Sequence, residues 1–212
     1  MESILENYKV LLNNLENLHS VNINKYDLNK TGLFIVDMNN GFAKTGALSS
    51  PRVEKIIKPI SNLGKSLYSK INTIVAFTDC HDKDAVELKS YPIHCLKGDK
   101  ESELVEEILA IGNLEVLEKN STNGFFVMDM EKYKNLDNFI VVGCCTDICV
   151  YQFVLTLKTY FNQNNLDKNI IVPMNLVETY NTDMVHSGDL FNTVFLNSMI
   201  QNGINVVKEI LI

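Results

Sequence analysis

The strongest constraint on this chain is an alternation of short, mostly apolar runs with longer amphipathic stretches. The apolar runs are GLFIVD (32–37), NTIVAFTD (72–79), LEVLEK (114–119), NFIVVG (138–143), NIIVPM (169–174) and INVVKEI (204–210). Runs of this length and character read as strands buried on both faces. Between them lie segments with helical spacing. One opens at Pro51, a residue suited to the first helical turn, and continues to about Ser69. Others span 101–111, 146–161 and 188–201. Such alternation predicts an α/β fold. The expected form is a Rossmann-like three-layer sandwich with a six-stranded parallel sheet flanked by helices on both faces.

Ile4, Tyr8, Leu11, Leu12, Leu15 and Leu18 recur near helical spacing ahead of the first strand. They predict an amphipathic helix over 3–19 that ends at His19. The expected organisation is a helical extension, 1–30, followed by one domain, 31–212. At 212 residues, 46% of them hydrophobic, the chain is long enough for one sizeable core and short for two. A net charge of −7 argues against a nucleic-acid partner, which calls for a basic face. No run approaches the roughly 18 apolar residues of a membrane span, and the first residues lack the pattern of a secretory signal. A cytoplasmic protein with no membrane partner is expected. Its five cysteines, Cys80, Cys95, Cys144, Cys145 and Cys149, are an odd number, which favours free thiols over a disulfide framework.

In a parallel sheet of this kind the ligand site lies beyond the C-terminal strand ends. The residues there are Asp37, Asp79, Lys119 and the segment Gly143–Cys149. Cys149 falls at a helix start, where free N–H groups and partial positive charge favour a thiolate and could hold an oxyanion. Alternatively it is a small buried residue. Asp37 is either a general base or a turn-forming aspartate. Lys119 is either a solvated lysine or the cation that keeps a nearby carboxylate ionised. Asp79 and His81, two apart on an extended segment, point to the same side, and His94 follows in the same loop. One carboxylate and two imidazoles suit a divalent metal ion, zinc first, with iron or manganese as alternatives. His186 reads as a cap or packing residue.

FIVDMNNGF (34–42), the lysine of LEKNSTNGF (117–125) and VVGCCTDICV (141–150) together resemble the isochorismatase-like cysteine hydrolases, and within them the nicotinamidases. The resemblance covers roughly 30–212. It implies an isochorismatase-like fold, a Cys149 nucleophile, an Asp37 base and a supporting Lys119. It also implies a cis peptide bond between Cys144 and Cys145, with the N–H groups of Cys145 and Cys149 as oxyanion hole. The segment Tyr91-Pro92-Ile93-His94 is similar to the end of the nicotinamidase metal loop. A second histidine common in that loop is missing here. Glu87, seven residues before His94, has the spacing some members use and is the expected fourth ligand, ahead of Asp82 and Asp84. Phe42 and Tyr91 are expected to flank the substrate ring, with Phe125 on the same wall. The implied reaction is deamination of nicotinamide to nicotinate and ammonia, a step of NAD salvage. The implied enzyme carries one bound metal ion and is a possible homo-oligomer. The rivals are a cysteine amidase acting on a carbamoyl or ureido group, and a silent homologue serving as an assembly module.

Overall fold

The structure is a computed structural model and describes residues 2–182 and 185–212. In chain order its elements are α1 (Glu2–Glu16), β1 (Val21–Asn22), β2 (Thr31–Val36), α2 (Asn40–Ala43), α3 (Pro51–Leu67), β3 (Thr73–Asp79), α4 (Glu106–Leu109), β4 (Glu115–Lys119), α5 (Met130–Tyr133), β5 (Asn138–Cys144), α6 (Tyr151–Gln163), β6 (Asn169–Pro173), β7 (Val177–Glu178), α7 (Gly188–Gln201), β8 (Asn205–Val207) and β9 (Ile210–Leu211). A π-helical turn, Thr146–Val150, joins β5 to α6.

The central sheet runs in the order β4-β3-β2-β5-β6-β8, with every pair parallel. Successive strand residues face opposite layers. Leu33 and Ile35 of β2 enter one core with the apolar stripe of α3 (Val53, Ile56, Ile57, Ile60, Leu63). Phe34 and Val36 enter the other with Phe153, Val154 and Leu157 of α6 and Leu196 and Met199 of α7. The three-layer sandwich expected from the alternation is the fold. The strand order places β2 beside β5, where the chain reverses its winding direction. The crevice past those two strand ends is the place for a ligand in such sheets.

Four local expectations change. The helix expected over 101–111 is a 3-10 turn, Lys100–Ser102, followed by the four-residue α4. The backbone is drawn away there: the N–H of Val105 donates to Met38 O at 3.0 Å, and Glu103 O accepts from the N–H of Asn40 at 2.9 Å. The last strand is split. Lys208 donates its N–H to His19 O at 2.9 Å, and β9 leaves the main sheet to pair with β1. The seventh strand of the main sheet, β7, pairs with Gly143 and Cys144 beyond the point where β6 stops pairing with β5. Finally, α1 ends at Glu16, so His19 lies past it rather than at its last turn. α1 packs on α7 through the buried Leu15, and the Asn197 side chain donates to Leu11 O at 2.9 Å.

Candidate active site

The ends of β2, β3, β4 and β5 bring the residues singled out in the sequence to one place. Lys119 is 1% exposed and sits between two carboxylates. Its Nζ is 2.9 Å from Asp37 Oδ2 and 2.6 Å from Asp79 Oδ1. Register explains the second contact, because Asp79 and Lys119 are paired neighbours at the ends of β3 and β4. Asp37 is fully buried and adopts φ 51°, a left-handed conformation uncommon outside glycine, as the chain leaves β2. The peptide bond between Cys144 and Cys145 is cis. The five cysteines are free thiols.

Electrostatics separates the two carboxylates. Burial pushes Asp37 up to about 7, with Lys119 opposing and the Asp79 charge adding to the rise. Burial acts on Asp79 in the same direction, yet Lys119, His81 and His94 together hold it well below the usual carboxylate range. Lys119 resists its own burial because Asp37, Cys149 and Asp79 hold it firmly charged. Burial raises the Cys149 thiol well above its ordinary value, against the pull of Lys119. The helix start anticipated for Cys149 is the π-helical turn ahead of α6, and burial dominates there.

Asp79 has a second face. Its Oδ2 lies 2.9 Å from His81 Nε2 and 3.2 Å from His94 Nε2. The other ring nitrogens are engaged elsewhere. His81 Nδ1 is 3.1 Å from Asn120 Oδ1, and His94 Nδ1 is 2.7 Å from Pro92 O. Both Nδ1 partners are acceptors, so Nδ1 donates there, and each Nε2 is turned toward the Asp79 carboxylate, where a cation would sit between them. Glu87 Oε1 is 3.9 Å from His81 Nε2, and its Oε2 accepts from the N–H of Thr122 at 2.9 Å. One donor atom from each of Asp79, His81, Glu87 and His94 lies within 4.8 Å of the other three. Two imidazoles and two carboxylates held this way fit a divalent ion, and the engaged Nδ1 atoms are the orientation such ligands need. Asp82 and Asp84 point to solvent and stand outside this group.

A cavity of about 280 Å³ opens onto both sets. Cys149, Cys145, Asp79, His94 and Glu87 line it, as do Phe42 and Tyr91. Phe125 does not. Its ring packs 5.4 Å from Tyr160 in the α6 layer, because the 3-10 turn at Gly124–Val127 directs it there. The expectation that Phe125 walls the site is therefore corrected. Ala47–Pro51 and Tyr180–Thr182 complete the lining.

The isochorismatase domain matches residues 31–203. The chain belongs to the isochorismatase family. Among relatives of this isochorismatase-family chain is nicotinamidase 1 of Arabidopsis thaliana, 28% identical over 84% of this chain and 86% of that protein. N-carbamoylsarcosine amidase from Thermoplasma acidophilum superposes with a TM-score of 0.70 at 25% identity, over 84% of this chain and 96% of that one. Nicotinamidase/pyrazinamidase from Bacillus subtilis gives a TM-score of 0.71 at 22% identity, over 84% and 99%, a likeness of fold. Family and relatives together make this isochorismatase-family chain a hydrolase acting on an amide.

Several residues in the site carried no signal in the sequence. Asn120 orients His81, and the Thr122 N–H holds Glu87; both lie within three residues after Lys119, in a stretch read only for its lysine and Phe125. The buried Asn39 side chain donates to Asp79 O at 3.0 Å and Ser102 O at 3.1 Å, tying the loop after β2 to the end of β3. Asp79, read as a metal ligand, is also the partner of Lys119.

Proposed function

We propose that this chain deaminates nicotinamide to nicotinate and ammonia through a thioester on Cys149. One observation carries the reading: a candidate cation site of two imidazoles and two carboxylates opens, through Asp79, Glu87 and His94, onto the same aromatic-walled cavity as the buried Cys149 thiol. A pyridine carboxamide has a ring nitrogen for the one and an amide carbon for the other.

Cys149 rests as a thiol, since burial disfavours its thiolate, so the reaction needs a base. Asp37, raised to about 7, is matched to that task near neutral pH. It takes the thiol proton while Lys119 balances the charge left behind. The sulfur attacks the amide carbon, and the N–H groups of Cys145 and Cys149 hold the oxyanion. Asp37 returns the proton to the departing ammonia. Water then cleaves the thioester, again with Asp37 as base. A divalent ion held by Asp79, His81, His94 and Glu87, zinc by the donor set, would supply a Lewis-acid anchor for the ring nitrogen. Phe42 and Tyr91 flank the ring.

The test is ammonia release from nicotinamide, with and without a chelator. Turnover that a chelator stops and zinc restores supports the reading; absence of turnover in metal-loaded protein ends it. Cys149→Ala should abolish turnover and keep the metal, so substantial activity in that variant would remove Cys149 as nucleophile. The likeness to N-carbamoylsarcosine amidase favours a second reading, a carbamoyl substrate. Chelator-insensitive ammonia release from N-carbamoyl amino acids would select it.

A further inference from the structure

The cavity rim is tied to the nucleophile's own turn through a buried histidine that the reaction above does not use. His186 Nε2 is 2.8 Å from Asp147 Oδ2, and its Nδ1 is 3.0 Å from Tyr180 O. The ring lies between two aromatic faces. Tyr180 is stacked on one side at 3.9 Å and 11°, and Phe191 of α7 on the other at 3.9 Å and 29°. Asp147 stands two residues before Cys149 in the π-helical turn. Tyr180, Asn181 and Thr182 line the cavity. His186 also exchanges backbone hydrogen bonds with Thr182, at 2.9 and 3.2 Å. One imidazole thus grips the carbonyl and the ring face of Tyr180, while its far nitrogen is fixed to the turn that carries Cys149.

We propose that His186 is a positioning residue, anchored by Asp147, that sets Tyr180 as a rigid wall of the substrate cavity. This assignment rests on the reading of the cavity as the amide-binding site. A stacked imidazole bonded at both ends leaves Tyr180 little freedom. Its loss would loosen the wall without touching the groups that transfer protons. The cost would fall on substrate capture, and the buried thiol would become easier to reach.

The experiment compares His186→Ala, His186→Asn, His186→Gln, Tyr180→Ala and the double variant H186A/Y180A. It reads KM and kcat for nicotinamide and the rate of Cys149 alkylation by iodoacetamide. Loss of a charge-assisted bond and a stacking partner should raise KM about tenfold in H186A, with kcat within about threefold. Y180A should do the same. The double variant should be no worse than the larger single effect, because both remove one wall. Asparagine places its amide nitrogen where Nδ1 sits and can still donate to Tyr180 O; glutamine reaches only Asp147. H186N should therefore recover most of the affinity and H186Q little. Alkylation should quicken in H186A and Y180A alike. Additive effects on KM, equal behaviour of H186N and H186Q, or an unchanged KM in Y180A would overturn the assignment. If wild type does not turn over nicotinamide, the functional reading fails and alkylation still decides this one. Alkylation at the wild-type rate in both H186N and H186Q, with no gain in Y180A, would reject it. H186N, H186Q and Y180A carry the test even if H186A does not fold.

Discussion

Two buried carboxylates share a single lysine, and their environments drive them apart. Asp37 sits near neutrality as a usable base, while Asp79 stays ionised. The direction of the pH response follows. Below about 7, Asp37 is protonated and cannot accept the thiol proton. As pH falls through that value, kcat/KM should drop about tenfold per unit; above it the rate should level off. A profile flat from pH 5 to 8 would contradict Asp37 as the base. Asn120 offers a test of the cation site that needs no turnover. Removing the acceptor that orients His81 should weaken divalent-metal binding about 10- to 100-fold in Asn120→Ala, measured by competition with a chromophoric chelator. Unchanged affinity would show that His81 needs no such support. Asp37, Asp79 and Lys119 were legible in the sequence because they stand at strand ends, and Cys149 because it lies in the turn after β5 within a motif that resembles the family's. Asn120, Asn39 and the Asp147–His186 pair were not. They act through contacts between segments distant in sequence or through side-chain direction, and neither leaves a periodic trace. Phe125 misled because an aromatic beside glycine says nothing of the face to which its turn directs it.

At the level of elements, the end of β5 is where geometry is tightest. Gly143 has φ 119°, and a Cβ there would stand 2.0 Å from the Val36 carbonyl oxygen on β2. No side chain fits between these two strands, so Gly143→Ala should cost about 3 kcal/mol or more from backbone strain and overpacking together. Urea denaturation would measure it, and a loss below about 1 kcal/mol would mean that the strands can part. The main strands and the longer helices followed their apolar periods. Failures came where another part of the molecule claimed the backbone. Leu104, Val105, Ile108 and Ile111 are all buried at spacings that imitate a helix, yet Val105 spends its N–H on Met38. β1, β7 and β9 are two residues each, too short for any period to register.

For the whole molecule, a ligand that binds only the folded chain raises its stability by mass action. At one hundred times its dissociation constant the gain is about 2.7 kcal/mol. In a chain of this size that corresponds to about 5–10 °C in Tm. Stripping the metal with a chelator should lower Tm by that order, and zinc should restore it. No change in Tm would exclude a tightly held ion. Within the described residues no helix is long and apolar enough to cross a membrane.

Asp79 gives one oxygen to Lys119 and the other to the imidazoles. The two halves of the site therefore have a common hinge pin, and Asp79 cannot be changed without touching both. A substitution at Asp79 would remove a donor from the candidate cation site and unbalance the Lys119 charge at one stroke. An engineer who wished to remove the metal and keep the thiol chemistry would have to leave Asp79 in place and start from His81 and His94.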